Sequence, residues 1–337
     1  MNLVCDKCSN GVVYEPESQN LVCKTCGNIV MIERDYQYTR RQFSMNGHIV
    51  EERVPKINMT VSIKCSTCGA INNGEKSMLH NCVYCGAKLR GMQTKIGANN
   101  IDGCLPFVVS DYNVRSAFKE QLKNKRFLPN DFKNLPENAI IEGLYYTAYK
   151  FNIDINAGYT ADLIINENEE KVTRRIVGNK YFTRRDIVLE GSSYLSEFDF
   201  DSILPYDYSG LVKFDERFIA GFDIEASNRS LAEVRDIARM RATNNIESEI
   251  KKDYNDSAIE NLRIKHNFMN CDYSKILLPV YKISYKYGNK EYMSFLNGQT
   301  GKIGGKLPKS GLKIFLAVMG AFVAIGGVLG LIIKAIN

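Results

Sequence analysis

Eight of the ten cysteines form four Cys-x-x-Cys pairs, a residue type and spacing typical of metal binding. Each pair directs two sulfurs at one ion, and two pairs joined by a hairpin complete a closed tetrahedron with no open position for water. Closed sites of this kind are structural rather than catalytic. The spacing therefore predicts two structural Zn²⁺ ions, each held by four thiolates. The two ligand sets are Cys5, Cys8, Cys23 and Cys26, and Cys65, Cys68, Cys82 and Cys85.

The alternatives for these cysteines are disulfides and a redox-active pair. No secretory signal is predicted at the N-terminus, and cytosolic thiols stay reduced. A redox motif needs one pair on a βαβ unit, not four pairs at matched spacing. Gly27, Gly69 and Gly86 follow the second cysteine of a pair, where a positive φ turns backbone N–H groups toward thiolates. Cys104 and Cys271 are single and receive no role.

The composition is that of a globular chain. Of the 337 residues, 45% are apolar and 24% are charged, which indicates two or three domains and excludes a disordered or fibrous protein. The formal net charge of +6 falls to about +2 once each four-thiolate site holds a zinc ion. Such a small excess does not by itself favour nucleic acid as a partner.

The middle of the chain is predicted to form a mixed α+β domain over residues 111–303. Residues 140–224 contain tyrosine-rich and β-branched runs broken by turns, which indicate strands and hairpins. Ser230 and Glu233 form a capping box, which predicts a long helix ending near Tyr254. The domain is therefore expected to be rich in antiparallel strands.

A predicted hairpin with its turn at Gly178-Asn179 carries the densest basic cluster. A two-residue turn would place Arg175 and Arg184 on one face and Arg174 and Arg185 on the other, so a phosphate surface would meet only half of them. Two interpretations stay open. One is an edge hairpin kept soluble by charge, and the other is a surface for lipid headgroups or nucleic acid.

The C-terminal segment 314–333 has no charged residue over 20 positions. As a helix it would span ~30 Å, the thickness of a hydrocarbon core. More lysines precede the segment than follow it, so the positive-inside rule keeps the N-terminal bulk in the cytoplasm. The sequence thus predicts a single-pass protein of the cell membrane. Gly326 and Gly330 form a GxxxG motif, which would allow a homo-oligomer through this helix.

No catalytic motif is recognised. The glycine- and lysine-rich stretch NGQTGKIGGK at 297–306 does not give the GxxxxGK[ST] pattern of a P-loop, and no nucleophile elbow, HExxH motif or triad is found. We therefore expect a binding protein rather than an enzyme.

Several segments resemble known proteins. Residues 3–30, LVCDKCSNGVVYEPESQNLVCKTCGNIV, resemble the TFIIB-type zinc ribbon, and residues 63–89 resemble a second ribbon or a rubredoxin-like knuckle. With GLYYTAYKF at 143–151, residues 204–225 and residues 277–310, nearly the whole chain resembles a bacterial family of TFIIB-type zinc-ribbon-containing membrane proteins. Its members are sometimes labelled primosomal, helicase-like or phage-replication proteins. The resemblance implies partnership with SPFH-domain scaffolds in membrane-stress systems.

These features together predict an α+β fold with two N-terminal zinc ribbons, a mixed α+β domain rich in antiparallel strands, and one C-terminal transmembrane helix. The predicted domains are ribbon 1 (1–40), a linker (41–60), ribbon 2 (61–91), a linker (92–110), the α+β domain (111–303), a basic linker (304–313) and the transmembrane helix (314–333).

The expected function is that of a tail-anchored adaptor on the cytoplasmic face of the membrane. Its zinc ribbons would recruit a cytosolic or membrane-associated protein, and membrane lipid would surround the anchor. Two alternatives stay open, a membrane-tethered nucleic-acid-binding protein and an enzyme with no recognisable motif. A salt series separates the first alternative from the adaptor, because phosphate contacts weaken steeply as salt rises.

Overall fold

The computed structural model describes residues 5–47, 60–64, 71–75, 87, 101–167, 170–225, 227–254 and 258–321. The chain divides into two compact units. The first unit comprises Met1–Phe107, Leu144–Ser196 and Asp207–Pro279, and the second comprises Val108–Gly143, Glu197–Tyr206 and Val280–Asn337.

The first unit begins with a small antiparallel sheet of three strands. These are β1 (Val12–Glu15), β2 (Asn20–Cys23) and β3 (Ile29–Val30), in the order β1-β2-β3. Strand β4 (Arg41–Gln42) then pairs with a later strand of this unit, and β5 (Thr60–Lys64) pairs with β6 (Ile71–Glu75). Residues 41 and 42, which fall in the predicted linker, thus contribute to a sheet.

Three long strands form the main sheet of the first unit. They are β8 (Ile140–Glu167), β9 (Glu170–Glu190) and β12 (Ile259–Tyr287), and β8 pairs with both of the others. The pairing of β8 with β9 is antiparallel and continues from Ala148 opposite Glu190 to Glu167 opposite Glu170. Four further strands join this arrangement, namely β4, β7 (Gly103–Cys104), β10 (Val212–Lys213) and β11 (Asp223–Glu225).

One face of the main sheet is covered by two helices, α3 (Leu231–Thr243) and α4 (Ile246–Lys252). Apolar side chains at alternate positions of β8 pack against the helices, as expected for a sheet with one buried face. The buried core of this layer contains, among others, Phe151, Ile153, Ile155, Ala157, Phe182, Val234, Ala238, Ile246 and Ile250.

The predicted capping box is confirmed. The side chain of Ser230 accepts a hydrogen bond from the N–H of Glu233, whose carboxylate accepts one from the N–H of Ser230. The helix is shorter than predicted, because Asn245 adopts φ 65° and separates α3 from α4. A left-handed residue cannot continue a right-handed helix, so the long predicted helix becomes two short ones.

The second unit contains α1 (Val114–Leu122), α2 (Glu197–Ile203), β13 (Lys290–Asn297), β14 (Ile303–Gly305) and a terminal helix, α5, over residues 311–321. The end of β12 pairs with β13, and β13 pairs with β14. Its aromatic core includes Tyr285, whose ring stacks on Phe132 and meets Phe118 edge-on. Val114, Phe118 and Leu122 form the buried face of α1.

The predicted fold class is wrong in two respects. Strands make up 42% of the structure and helices 21%, so the fold is mostly antiparallel sheet rather than mixed α+β. Within the described residues, no helix is both long and apolar enough to cross a membrane. Helix α5 contributes 11 described residues, about 16 Å of rise, which is roughly half a hydrocarbon core. The predicted transmembrane helix over 314–333 and the single-pass location in the cell membrane are therefore wrong; residues 322–333 lie outside the described residues.

The hairpin predicted at Gly178-Asn179 is also wrong, because β9 continues through both residues. Gly178 lies beneath the ring of Tyr159, where an added Cβ would be 2.5 Å from the ring. The glycine therefore serves close packing rather than a turn. In an unbroken strand with a bulge near its end, Arg175 and Arg185 share one face of the sheet, and Arg174 and Arg184 share the other.

Candidate metal centre

The first predicted ligand set comes together in the structure. The sulfur atoms of the four cysteines all lie within 4.8 Å of one another. The Cys5 and Cys26 sulfurs are 3.6 Å apart, and the Cys8 and Cys23 sulfurs are 3.4 Å apart. A tetrahedral zinc ion with Zn–S bonds of about 2.3 Å needs sulfur separations of about 3.8 Å. The cluster could therefore hold one metal ion with little rearrangement.

Two matching turns position these sulfurs. In each turn the residue after the second cysteine has positive φ, +57° at Ser9 and +69° at Gly27. Its N–H donates to the carbonyl of the first cysteine, at 2.8 Å for Cys5 and 2.9 Å for Cys23. The positive φ expected at Gly27 is confirmed. The positive φ of Ser9 was not predicted, because a serine rarely adopts this conformation.

Two asparagines, neither of them predicted from the sequence, donate hydrogen bonds to the cysteine sulfurs. The side-chain amide of Asn10 donates to the Cys8 sulfur at 3.5 Å, and that of Asn28 donates to the Cys5 sulfur at 3.7 Å. Donors of this kind stabilise a thiolate and hold its orientation around a metal. The signal was available in the sequence, since each pair of the first set is followed by a small residue and then asparagine.

The cysteines differ in how readily they lose a proton. The backbone N–H of Cys26 makes the largest contribution at Cys23, and despite opposing desolvation the pKa of Cys23 falls to about 6. At Cys26 itself, the N–H of Asn28 favours the thiolate. Its hydrogen bonds with the other thiols, of which that with Cys8 is the strongest, act in the opposite direction, as does desolvation. Together they outweigh the effect of Asn28 and raise the pKa of Cys26 to about 12. A divalent cation would displace the protons that such a cluster retains.

The three-stranded sheet that carries the site is packed against the rest of the first unit through Tyr14. This side chain is 3% exposed, and its hydroxyl donates to the carbonyl of Phe107 at 3.2 Å. The N–H of Tyr14 donates to the carbonyl of Ala220 at 2.9 Å, and its ring meets Phe218 edge-on at 5.9 Å. Burial raises the pKa of Tyr14, so the phenol stays neutral. The cysteine-bearing sheet is thus anchored to the folded core of the first unit.

An aromatic cluster lies beneath Tyr14. The buried hydroxyl of Tyr145 donates to the carbonyl of Phe218 at 3.1 Å and accepts from the N–H of Phe107 at 3.3 Å. Phe107 stacks on Phe222 with ring centroids 4.1 Å apart. These residues are far apart in sequence, so no local pattern predicts their contact.

Most basic side chains of β9, which form the predicted basic cluster, make ion pairs within the chain. Arg184 donates to the carbonyl of Ala242 at the end of α3 and pairs with Glu249 at 2.8 Å. Lys180 donates to the carbonyl of Glu249 in α4 and pairs with Asp253 at 2.6 Å. Cations at helix C-termini complement the helix dipole.

The other predicted cysteines do not join the described site. Cys65, Cys68, Cys82 and Cys85 lie outside the described residues, so the second zinc site stays a prediction. Cys104 and Cys271 are buried singly in the first unit. Burial raises the pKa of the Cys271 thiol to about 11, which keeps it protonated and inert.

Comparisons with known proteins do not assign this chain to a family. No family model matches it, and no solved structure matches it. It is 28% identical over 222 residues to the uncharacterized protein YdjG of Bacillus subtilis (strain 168). The match covers 62% of this chain and 64% of YdjG, so the chain spans less than two thirds of that curated relative. Membership of the TFIIB-type zinc-ribbon family stays a prediction.

Replacing Asn28 with alanine should weaken metal binding at the first site by roughly 10- to 100-fold, because the Cys5 sulfur loses its amide donor. Competition with a chromophoric chelator measures this in a chain whose second cysteine set is changed to serine. Thr25→Ala, an exposed change in the same turn, is the matched control. Equal affinity in both variants would show that Asn28 does not support the site.

Proposed function

We propose that this protein is a zinc-stabilised adaptor that binds another protein through its N-terminal ribbon. Four thiolates would fill the coordination shell of the ion, which leaves no position for a substrate or a catalytic water. Zinc suits four thiolate ligands in this spacing. The proposed role of the ion is therefore to stabilise the fold of the ribbon. The proposed activity of the protein is binding rather than catalysis.

One observation carries the choice of a protein partner. Three large apolar side chains just after the metal turns are exposed, Ile29 at 55%, Met31 at 77% and Tyr36 at 55%. Ile29 belongs to β3, which within the described residues pairs only with β2. A contiguous exposed apolar surface marks a protein interaction site, and we propose that these three side chains, which lie within eight residues of sequence, form one. We name these three residues the ribbon patch.

The resemblance noted in the sequence suggests which partner to test first. An SPFH-domain scaffold is the candidate, and it would contact the ribbon patch mainly through apolar side chains. Such an interface should depend only weakly on salt, whereas binding through phosphate contacts should weaken steeply. A salt series on the captured complex therefore separates the adaptor from the nucleic-acid-binding alternative.

The test is copurification of tagged full-length protein from cells, compared with the double variant Ile29→Glu, Met31→Glu. The variant should lose the bound protein and keep its zinc, because neither residue supplies a ligand. Met240→Glu, at a 66% exposed apolar position on α3, is the matched control and should retain the partner. Recovery of the same partner by the double variant would refute a role for the ribbon patch.

A further inference from the structure

The outer edge of β9 lacks a strand partner within the described residues. The strand is 21 residues long and pairs with β8 along its other side. Such an edge presents a row of backbone N–H and C=O groups that another strand can use. Natural edges are often protected by proline, yet β9 contains none. An edge of this length without proline is suited to strand addition, provided that its six lysine and arginine side chains are accommodated in the pair.

The sequence along this edge is complementary to itself. Residues 173–185 read TRRIVGNKYFTRR, with Asn179 at the centre. If two copies pair antiparallel about Asn179, Val177 of each copy lies opposite Tyr181 of the other. The β-branched and aromatic side chains then form two cross-strand pairs, a favourable combination in sheets. A two-fold axis through Asn179 generates both pairs at once.

We propose that two copies of this chain associate through the β9 edge, with Asn179 on the two-fold axis and the Val177 and Tyr181 side chains in contact. This goes beyond the proposed adaptor function and uses a different surface. Val177 is 78% exposed and Tyr181 is 69% exposed in the single chain. Both lie on the sheet face opposite α3 and α4, because their neighbour Phe182 packs into the core beneath those helices. Pairing would bring the two side chains into contact across the strands and cover part of each.

The charges along the edge do not oppose this pairing. Arg174 of one copy would lie opposite Arg184 of the other, but each is already compensated within its own chain. Arg174 pairs with Glu167 at 2.6 Å, and Arg184 pairs with Glu249 at 2.8 Å. In the same register Arg175 meets Thr183, which is uncharged. The edge therefore accepts a second copy of itself without opposing unpaired cations.

Sedimentation of the full-length chain over a range of concentrations tests the proposal. The double variant Val177→Lys, Tyr181→Lys should weaken dimerisation by about 100-fold or more, because it places lysines where apolar pairs would form. Both positions are exposed, so the variant should unfold at the same temperature as the parent chain. The control Met240→Lys places a lysine at an exposed apolar position on α3 and should leave the dimer intact.

A photo-crosslinker in place of Asn179 locates the contact. It should join two copies of the chain through residues 175–183 of the partner. A monomeric parent chain at all concentrations would overturn the proposal, and so would a dimer that the double lysine variant leaves unchanged. Crosslinking of position 179 to a different protein would also overturn it, since the edge would then serve a heterologous strand.

Discussion

Replacing Cys23 with serine is expected to abolish metal binding at the first site and to unfold the ribbon strands β1–β3. The three-stranded sheet is small, and a bound ion would supply folding energy that its few apolar side chains cannot. Structural zinc contributes about 10–16 kcal/mol of binding free energy in zinc-finger peptides. Metal analysis should show a loss of about one zinc ion per chain. Hydrogen exchange should show loss of protection for the amides of residues 12–30.

Cys271→Ser is the matched control for this experiment. Cys271 is a buried single cysteine outside the cluster, so its replacement should leave the zinc content unchanged. If the second predicted site holds zinc, it should keep its ion in the Cys23 variant, because each ion would be bound by its own four cysteines. Retention of the first ion and of amide protection in the Cys23 variant would contradict the assignment.

Replacing Tyr14 with alanine should lower the free energy of unfolding by about 3–5 kcal/mol, as for other buried aromatic residues. The change removes the ring contact with Phe218 and the hydrogen bond to Phe107. Tyr14→Phe keeps the ring and should cost only about 0.5–1.5 kcal/mol. Urea unfolding of the full chain measures both variants.

The zinc content of the Tyr14→Ala variant should remain that of the parent chain, because the four sulfurs belong to the ribbon's own turns. Tyr36→Ala, at an exposed aromatic position that follows the same sheet, should leave stability nearly unchanged. If Tyr14→Ala were as stable as the parent, the packing of the ribbon through this residue would be wrong.

Local chemistry explains what the sequence predicted well. The four cysteines of the first site and the capping box of Ser230 and Glu233 each depend on residues a few positions apart or on a short hairpin. Their spacing is enough to define them. The cluster of Tyr14, Phe107 and Tyr145 depends on contacts between distant segments, and no periodic pattern marks them.

Glycine accounts for one error. Gly178 next to Asn179 has the residue types of a hairpin turn, but the glycine is required because Tyr159 packs against its backbone. A glycine in a turn and a glycine that allows close packing look alike in sequence. The pairing of β9 with β8 shows that Gly178 is of the second kind. The error mattered, because an unbroken β9 changes which arginines share a face and creates the long edge proposed as a dimer contact.

X-ray absorption spectroscopy at the zinc edge, on the full chain with Cys65, Cys68, Cys82 and Cys85 changed to serine, tests whether the first cysteine set holds zinc. We expect about one zinc ion per chain, surrounded by four sulfur atoms at about 2.3 Å. This result would assign the ion to Cys5, Cys8, Cys23 and Cys26, the cluster seen in the structure. A chain without zinc, or an ion with fewer than four sulfur ligands, would contradict the closed structural site.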